Sequence, residues 1–216
     1  KIDSYMKENG GLITKKDLKN YRPIWREALH GNFNEYKIVT MGPPSSGGVH
    51  VIQMLNILEN FDLIQMGHNS PTYTALLTES MKYAYADRSK YLGDPDFFDV
   101  PVQSLVSKEY AKKIYNKIKL NSITPSDKVL PGSELKHESL DTTHFSVADK
   151  NGNIVSNTYT LNSGFGSGVV VDGTGILMNN EMDDFVSAPG VPNQFGLIGG
   201  EANKIEPFKR PLSSMT

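Results

Sequence analysis

Leu140-Asp141-Thr142-Thr143-His144-Phe145-Ser146-Val147 is the stretch on which the reading of this 216-residue chain turns. From it onward Phe145, Val147 and Asp149 alternate with His144, Ser146 and Ala148. That is the period of two expected of a strand. Lys150-Asn151-Gly152-Asn153 follows as a hairpin turn, because Asn-Gly tolerates positive φ. The return strand is predicted over residues 154–161. A second strand pair is predicted over 168–172 and 175–178, joined at Gly173. Residues 189–209, rich in Gly, Pro and Asn, read as an irregular segment.

Upstream the character is helical. Thr14 is the predicted N-cap of a short helix, with Asp17 three positions on, a near miss of the capping box. Residues 37–41 read as a short strand, broken by Gly42-Pro43-Pro44-Ser45-Ser46-Gly47-Gly48. Val49, Ile52, Leu55, Ile57, Leu58 and Phe61 recur at helical spacing, predicting a helix over 49–63. Ser70 caps a second helix with Pro71 at its first position; Gly93-Asp94-Pro95 ends it. A third is predicted over about residues 108–118. Residues 122–141 are polar and read as an exposed, mobile tether. Helices followed by antiparallel strands predict an α+β fold.

Composition narrows the function. A net charge of −2 lacks the basic footprint of a nucleic-acid binder. No apolar run approaches the roughly 20 residues needed to cross a bilayer, so no membrane partner is expected. No signal-peptide pattern is visible, and the ends at Lys1 and Thr216 read as those of an excised piece. With no cysteine in the chain, disulfide scaffolds, Cys-based zinc sites and thiol nucleophiles are excluded.

Thr142 is the candidate nucleophile. A threonine hydroxyl needs a base, and the five histidines lie in unrelated contexts that read as ordinary polar or core positions. An N-terminal threonine solves the problem with its own α-amine, which requires cleavage between Asp141 and Thr142. The competing reading is that Thr142 and Thr143 merely begin a strand, where threonine is favoured. Glu181, Asp183 and Asp184 suit a substrate ammonium or a solvated turn; a metal lacks supporting ligands nearby. Ser213 and Ser214 suit a carboxylate. Residues 42–48 lack the Gly-Lys-Ser/Thr ending of a phosphate loop and read as a structural turn. Gly199-Gly200 offers oxyanion-hole amides or, more simply, a flexible loop.

Together these stretches, with Tyr83-Ala84-Tyr85-Ala86-Asp87-Arg88, Tyr91-Leu92-Gly93-Asp94-Pro95-Asp96 and Lys209-Arg210-Pro211-Leu212-Ser213-Ser214-Met215, resemble the γ-glutamyltranspeptidase (glutathione hydrolase) family along the whole chain. The resemblance implies an N-terminal-nucleophile hydrolase with an αββα sandwich. It implies a precursor that cuts itself before Thr142 into large and small subunits that stay paired. Residues 1–141 then match the end of the large-subunit region and 142–216 the start of the small-subunit region, together one incomplete domain. By resemblance Thr142 is both self-cleavage and catalytic nucleophile, and Thr160 orients it. Asn162, Glu181 and Asp184 hold the α-ammonium of a γ-glutamyl group, and Ser213 and Ser214 its α-carboxylate.

The expected activity is γ-glutamyl transfer from, or hydrolysis of, glutathione and related γ-glutamyl amides, with water or amino acids as acceptors. No metal or organic cofactor is implied. The compartment implied is periplasmic or extracellular. Family members are longer, and a substrate-binding arginine and an oxyanion glycine pair are expected outside residues 1–216. An inactive remnant of such an enzyme and an acylase of similar fold are the alternatives; the acids and the serine pair argue against an apolar acyl group.

Overall fold

Among the described residues the helices and one hairpin, residues 29–40, occupy the first half of the chain, and the other two hairpins the second. The computed structural model describes residues 1–129, 142–188 and 190–216. The helices are α1 (Ile2–Glu8), α2 (Lys15–Asn20), α3 (Gly47–Leu58), α4 (Leu63–Met66), α5 (Pro71–Tyr91), α6 (Val102–Leu105) and α7 (Lys108–Tyr115). The strands are β1 (Leu29–Phe33), β2 (Tyr36–Thr40), β3 (Thr142–Ala148), β4 (Ile154–Thr160), β5 (Val170–Val171) and β6 (Ile176–Leu177). Among the described residues they form three separate antiparallel pairs, β1–β2, β3–β4 and β5–β6. The mixed helix-and-sheet expectation holds at this level.

The described residues divide into two compact units. One takes in those of Glu27–Glu138 and Met182–Thr216. Its centre is α3, which packs against α5, α7 and β1. Val49, Ile52 and Leu92 join Leu29, Leu105 and Leu212 in one apolar cluster. Ile57, Leu58 and Leu76 join Ala111, Ile114 and Ile118 in a second. Removing such side chains from water is the main force holding this unit together. The Ser70 hydroxyl accepts the Tyr73 N–H at 3.1 Å, so α5 starts where its cap and proline direct.

The other unit takes in the described residues of Lys1–Arg26 and Ser139–Glu181. It is thinly packed. Neither α1 nor α2 buries a residue. The β3–β4 hairpin leaves Phe145, Val147, Ile154, Val155 and Tyr159 exposed. Thr14 and Asp17 cap α2 reciprocally, so aspartate completes the capping box in place of the usual glutamate or glutamine.

Two expectations change, and one strand was not predicted. The helix predicted over 49–63 ends at Leu58, because Asp62 accepts the Gln65 N–H at 2.9 Å and starts the short α4. Strand β1 escaped notice, since only Leu29 of its five residues is buried. The tether expected over 122–141 is anchored at its start. Thr124 is bound through both backbone groups by the buried Glu79–Lys82 pair, and Val129 is buried. Residues 130–141, including the Asp141 side of the expected cleavage point, lie outside the described residues.

Candidate active site

The two candidate catalytic threonines are backbone partners in one ladder. β3 and β4 pair with Thr142 opposite Thr160, and the ladder runs from there to Ala148 opposite Ile154. The Asn151-Gly152 turn fixes this register: Asp149 gathers the backbone N–H groups of Asn151 and Asn153 at 2.8 and 2.9 Å, and Gly152 takes φ 85°.

Just past Thr160 the backbone is bent to serve the same end of the hairpin. The Thr160 hydroxyl accepts the Asn162 N–H at 3.0 Å. Asn162 is buried and holds φ at 75°, a left-handed conformation that asparagine tolerates better than most residues. Its side-chain amide donates to the Asn180 carbonyl at 3.2 Å. The Asn180 side chain in turn accepts the Ser163 N–H and donates to the Ser163 hydroxyl. Thr160, Asn162 and the segment leading to Glu181 are therefore tied together within this unit. Asn180 was not singled out from sequence, although it adjoins Glu181.

In the other unit the serine pair is laid onto the start of α3. Ser213 and Ser45 form a parallel bridge. The Ser213 N–H donates to the Pro44 carbonyl at 2.9 Å, and the Ser46 N–H to the Ser213 carbonyl at 2.7 Å. The Ser45 hydroxyl donates to the Met215 carbonyl. Gly47 is required by closeness: a Cβ there would lie 2.6 Å from Thr216 Cβ and 2.8 Å from the Ser214 carbonyl oxygen. The structural turn expected over residues 42–48 covers residues 42–46 and passes at Gly47-Gly48 into the first turn of α3; together they build the seat of Ser213 and Ser214.

Behind that seat lies Arg88 of α5, with its Nε–H donating to the Ser46 hydroxyl at 3.2 Å. The Ser46 hydroxyl lies 3.4 Å from that of Ser214. Arg88 and Asp184 line the same small cavity together with Asn193 and Asn203. Burial lowers the Arg88 pKa to about 10 while attraction to Asp184 opposes the drop, so the guanidinium stays charged at neutral pH. Asp184 is held through its carbonyl by the Asn203 amide at 2.6 Å, and Asp183 accepts the Gln194 N–H at 3.1 Å. Neither Ser46 nor Arg88 was identified from sequence; the only signal was their place in the Gly42 and Tyr83 motifs.

Several other positions can be assigned. His50 is a core histidine, its ring tilted 47° against that of Tyr85 with centroids 4.8 Å apart, and its pKa is lowered to about 3 chiefly by burial. Gly199 and Gly200 are not an open loop: a Cβ on Gly199 would overlap Val186, and one on Gly200 would meet the Ser89 carbonyl at 3.0 Å. Among the described residues no three His, Cys, Asp or Glu side chains gather as metal ligands. No described helix is long and apolar enough to cross a membrane.

A family model described as gamma-glutamyltranspeptidase matches residues 1–216. The chain is 53% identical over 215 residues to the glutathione hydrolase proenzyme of Escherichia coli (strain K12), covering 100% of this chain and 37% of that one. It resembles the crystal structure of Helicobacter pylori gamma-glutamyltranspeptidase with a TM-score of 0.59 at 47% identity, over 64% of this chain and 40% of that one. Against cephalosporin acylase from Bacillus halodurans the TM-score is 0.74 at 30% identity, over 99% of this chain and 35% of that one. The chain thus spans little more than a third of the length of the curated relatives it matches. The chain therefore belongs to the gamma-glutamyltranspeptidase family.

Proposed function

We propose that the protein transfers or hydrolyses γ-glutamyl groups of glutathione and related amides, using Thr142 as a nucleophile released by self-cleavage after Asp141. The observation that carries the reading is the register of β3 and β4, which puts Thr142 directly opposite Thr160. In the reaction the freed α-amine of Thr142 takes the proton of its own hydroxyl as the oxygen attacks the γ-carbonyl. The leaving amine departs with that proton. The resulting γ-glutamyl ester is then opened by water or by an acceptor amine. Thr160 orients the nucleophile. Asn162, Glu181 and Asp184 grip the α-ammonium, and Ser213 and Ser214 the α-carboxylate.

The same reading assigns residues 1–141 to a large subunit and 142–216 to a small one, paired after cleavage in an αββα sandwich. The exposed apolar side chains of β3 and β4 support it, since strands of this kind are normally covered. A periplasmic or extracellular location belongs to the same proposal.

A second reading, acylase action on an amide without an α-amino group, is favoured by the likeness to cephalosporin acylase over 99% of the chain. A third, an inactive remnant, is favoured by the chain's short span of its relatives. One assay separates all three. Release of p-nitroaniline from γ-glutamyl-p-nitroanilide, accelerated by an acceptor dipeptide, supports γ-glutamyl transfer. Release from glutaryl-p-nitroanilide alone would replace it with acylase action. No release from either would leave the remnant.

A further inference from the structure

We propose that Arg88 is a positioning residue that sets the direction of the hydrogen bonds reaching Ser214, and so selects donors carrying an α-carboxylate. The inference rests on the γ-glutamyl reading and deepens it.

The argument starts from proton counting. Arginine donates and never accepts. Its Nε–H donates to the Ser46 hydroxyl at 3.2 Å, so the Ser46 oxygen is used as an acceptor on that side. The Ser46 proton is then directed at the neighbouring Ser214 oxygen, 3.4 Å away. Ser214 accepts in turn, which leaves its own O–H free to donate outward. A hydroxyl relay of fixed polarity therefore ends in a donor, the arrangement that suits a carboxylate and repels nothing anionic. Without Arg88 the relay has no fixed end, and Ser214 can equally present a lone pair.

The site is built for permanence. Ser46 is fully buried and its backbone N–H is bound to the Ser213 carbonyl, so its hydroxyl has little freedom. Arg88 is buried on α5, between Ser46 on one side and the cavity it shares with Asp184 on the other. Asp184 attracts the guanidinium across that cavity. A buried cation is retained only where partners compensate its lost hydration. Here those partners are a serine of the α3 start and the acid proposed to meet the substrate ammonium. One rigid planar group thus ties the carboxylate-binding end of the pocket to an ammonium-binding residue. A lysine would not reproduce that planar fork.

The test uses the mature protein and three anilides. γ-Glutamyl-p-nitroanilide carries both α groups, 4-aminobutyryl-p-nitroanilide lacks the carboxylate, and glutaryl-p-nitroanilide lacks the ammonium. Arg88→Met is expected to lower kcat/KM for the γ-glutamyl donor by about tenfold or more, through KM, as for loss of a hydrogen bond to a charged group. Arg88→Met also removes the cation that attracts Asp184, so it should lower the 4-aminobutyryl donor as well, though by less than the γ-glutamyl donor; Ser46→Ala should change the 4-aminobutyryl donor by less than about threefold, because that donor never used the relay. Ser46→Ala breaks the relay with a far smaller change and should show the same selective loss, which keeps the test decisive if Arg88→Met does not fold. Equal losses for the γ-glutamyl and 4-aminobutyryl donors, or no loss in Ser46→Ala, would overturn the assignment while leaving the functional reading intact. Absence of γ-glutamyl turnover in the unaltered protein would overturn the functional reading, and this inference with it.

Discussion

Replacing Lys82 by methionine should be among the most damaging single changes in the larger unit. Glu79 and Lys82 lie one turn apart on α5 with side chains only 4% and 7% exposed. The Lys82 ammonium donates to Glu79 Oε1 and to the Thr124 carbonyl, both at 2.7 Å. The Thr124 N–H returns to Glu79 Oε1 at 3.1 Å. Lys82→Met leaves a buried carboxylate with one backbone donor, and breaking such a pair from one side costs about 3–5 kcal/mol. Glu79→Leu with Lys82→Met removes both charges. It should cost only about 1–2 kcal/mol, for the backbone groups of Thr124 left without side-chain partners. Urea unfolding of the mature protein, followed by circular dichroism, measures both. A Lys82→Met loss below about 1 kcal/mol, or a double variant no more stable than that single one, would refute the view that the pair works as a unit anchoring Thr124.

Other expectations follow from the same geometry. His50 has a folded-state pKa of about 3 against 6.5 when free. The unfolded chain therefore takes up the proton first: stability is full above about pH 6.5 and is lost as pH falls toward 3, by up to about 1.4 kcal/mol per pH unit. His50→Phe should flatten that slope in unfolding measured between pH 7 and 5. Gly47→Ala should push the Ser214 carbonyl away and cost about 1–3 kcal/mol of stability, with KM for γ-glutamyl-p-nitroanilide raised more than kcat is lowered. Asn162→Ala forces a less tolerant residue into the left-handed region and should destabilise by about 1–2 kcal/mol, whereas Asn162→Gly should keep the backbone yet lose the bond to Asn180. Thermal melts of the two variants would separate strain from the lost hydrogen bond.

Much of the local structure was legible because short-range chemistry decided it. Ser70-Pro71 named the start of α5, and Asn151-Gly152 fixed the hairpin and with it the register that opposes Thr142 and Thr160. What escaped was set by partners distant in sequence. β1 buries one residue and has no alternation strong enough to announce a strand. Thr124 looks like any polar loop residue until Glu79 and Lys82, on a helix, take both its backbone groups. Ser46 and Arg88 are unremarkable letters whose meaning comes from the approach of residues 213–216 to the start of α3. The threonine, acidic and serine motifs carried the family, yet the groups that orient them were visible only in three dimensions.

The most direct test of the central claim is intact mass with N-terminal sequencing of the purified complete protein, beside its Thr142→Ala variant. Two fragments from the wild type, one beginning Thr142-Thr143-His144, and a single uncut chain from the variant are the expected result. An uncut wild type that still releases p-nitroaniline from γ-glutamyl-p-nitroanilide, or a Thr142→Ala protein that does so, would contradict the account.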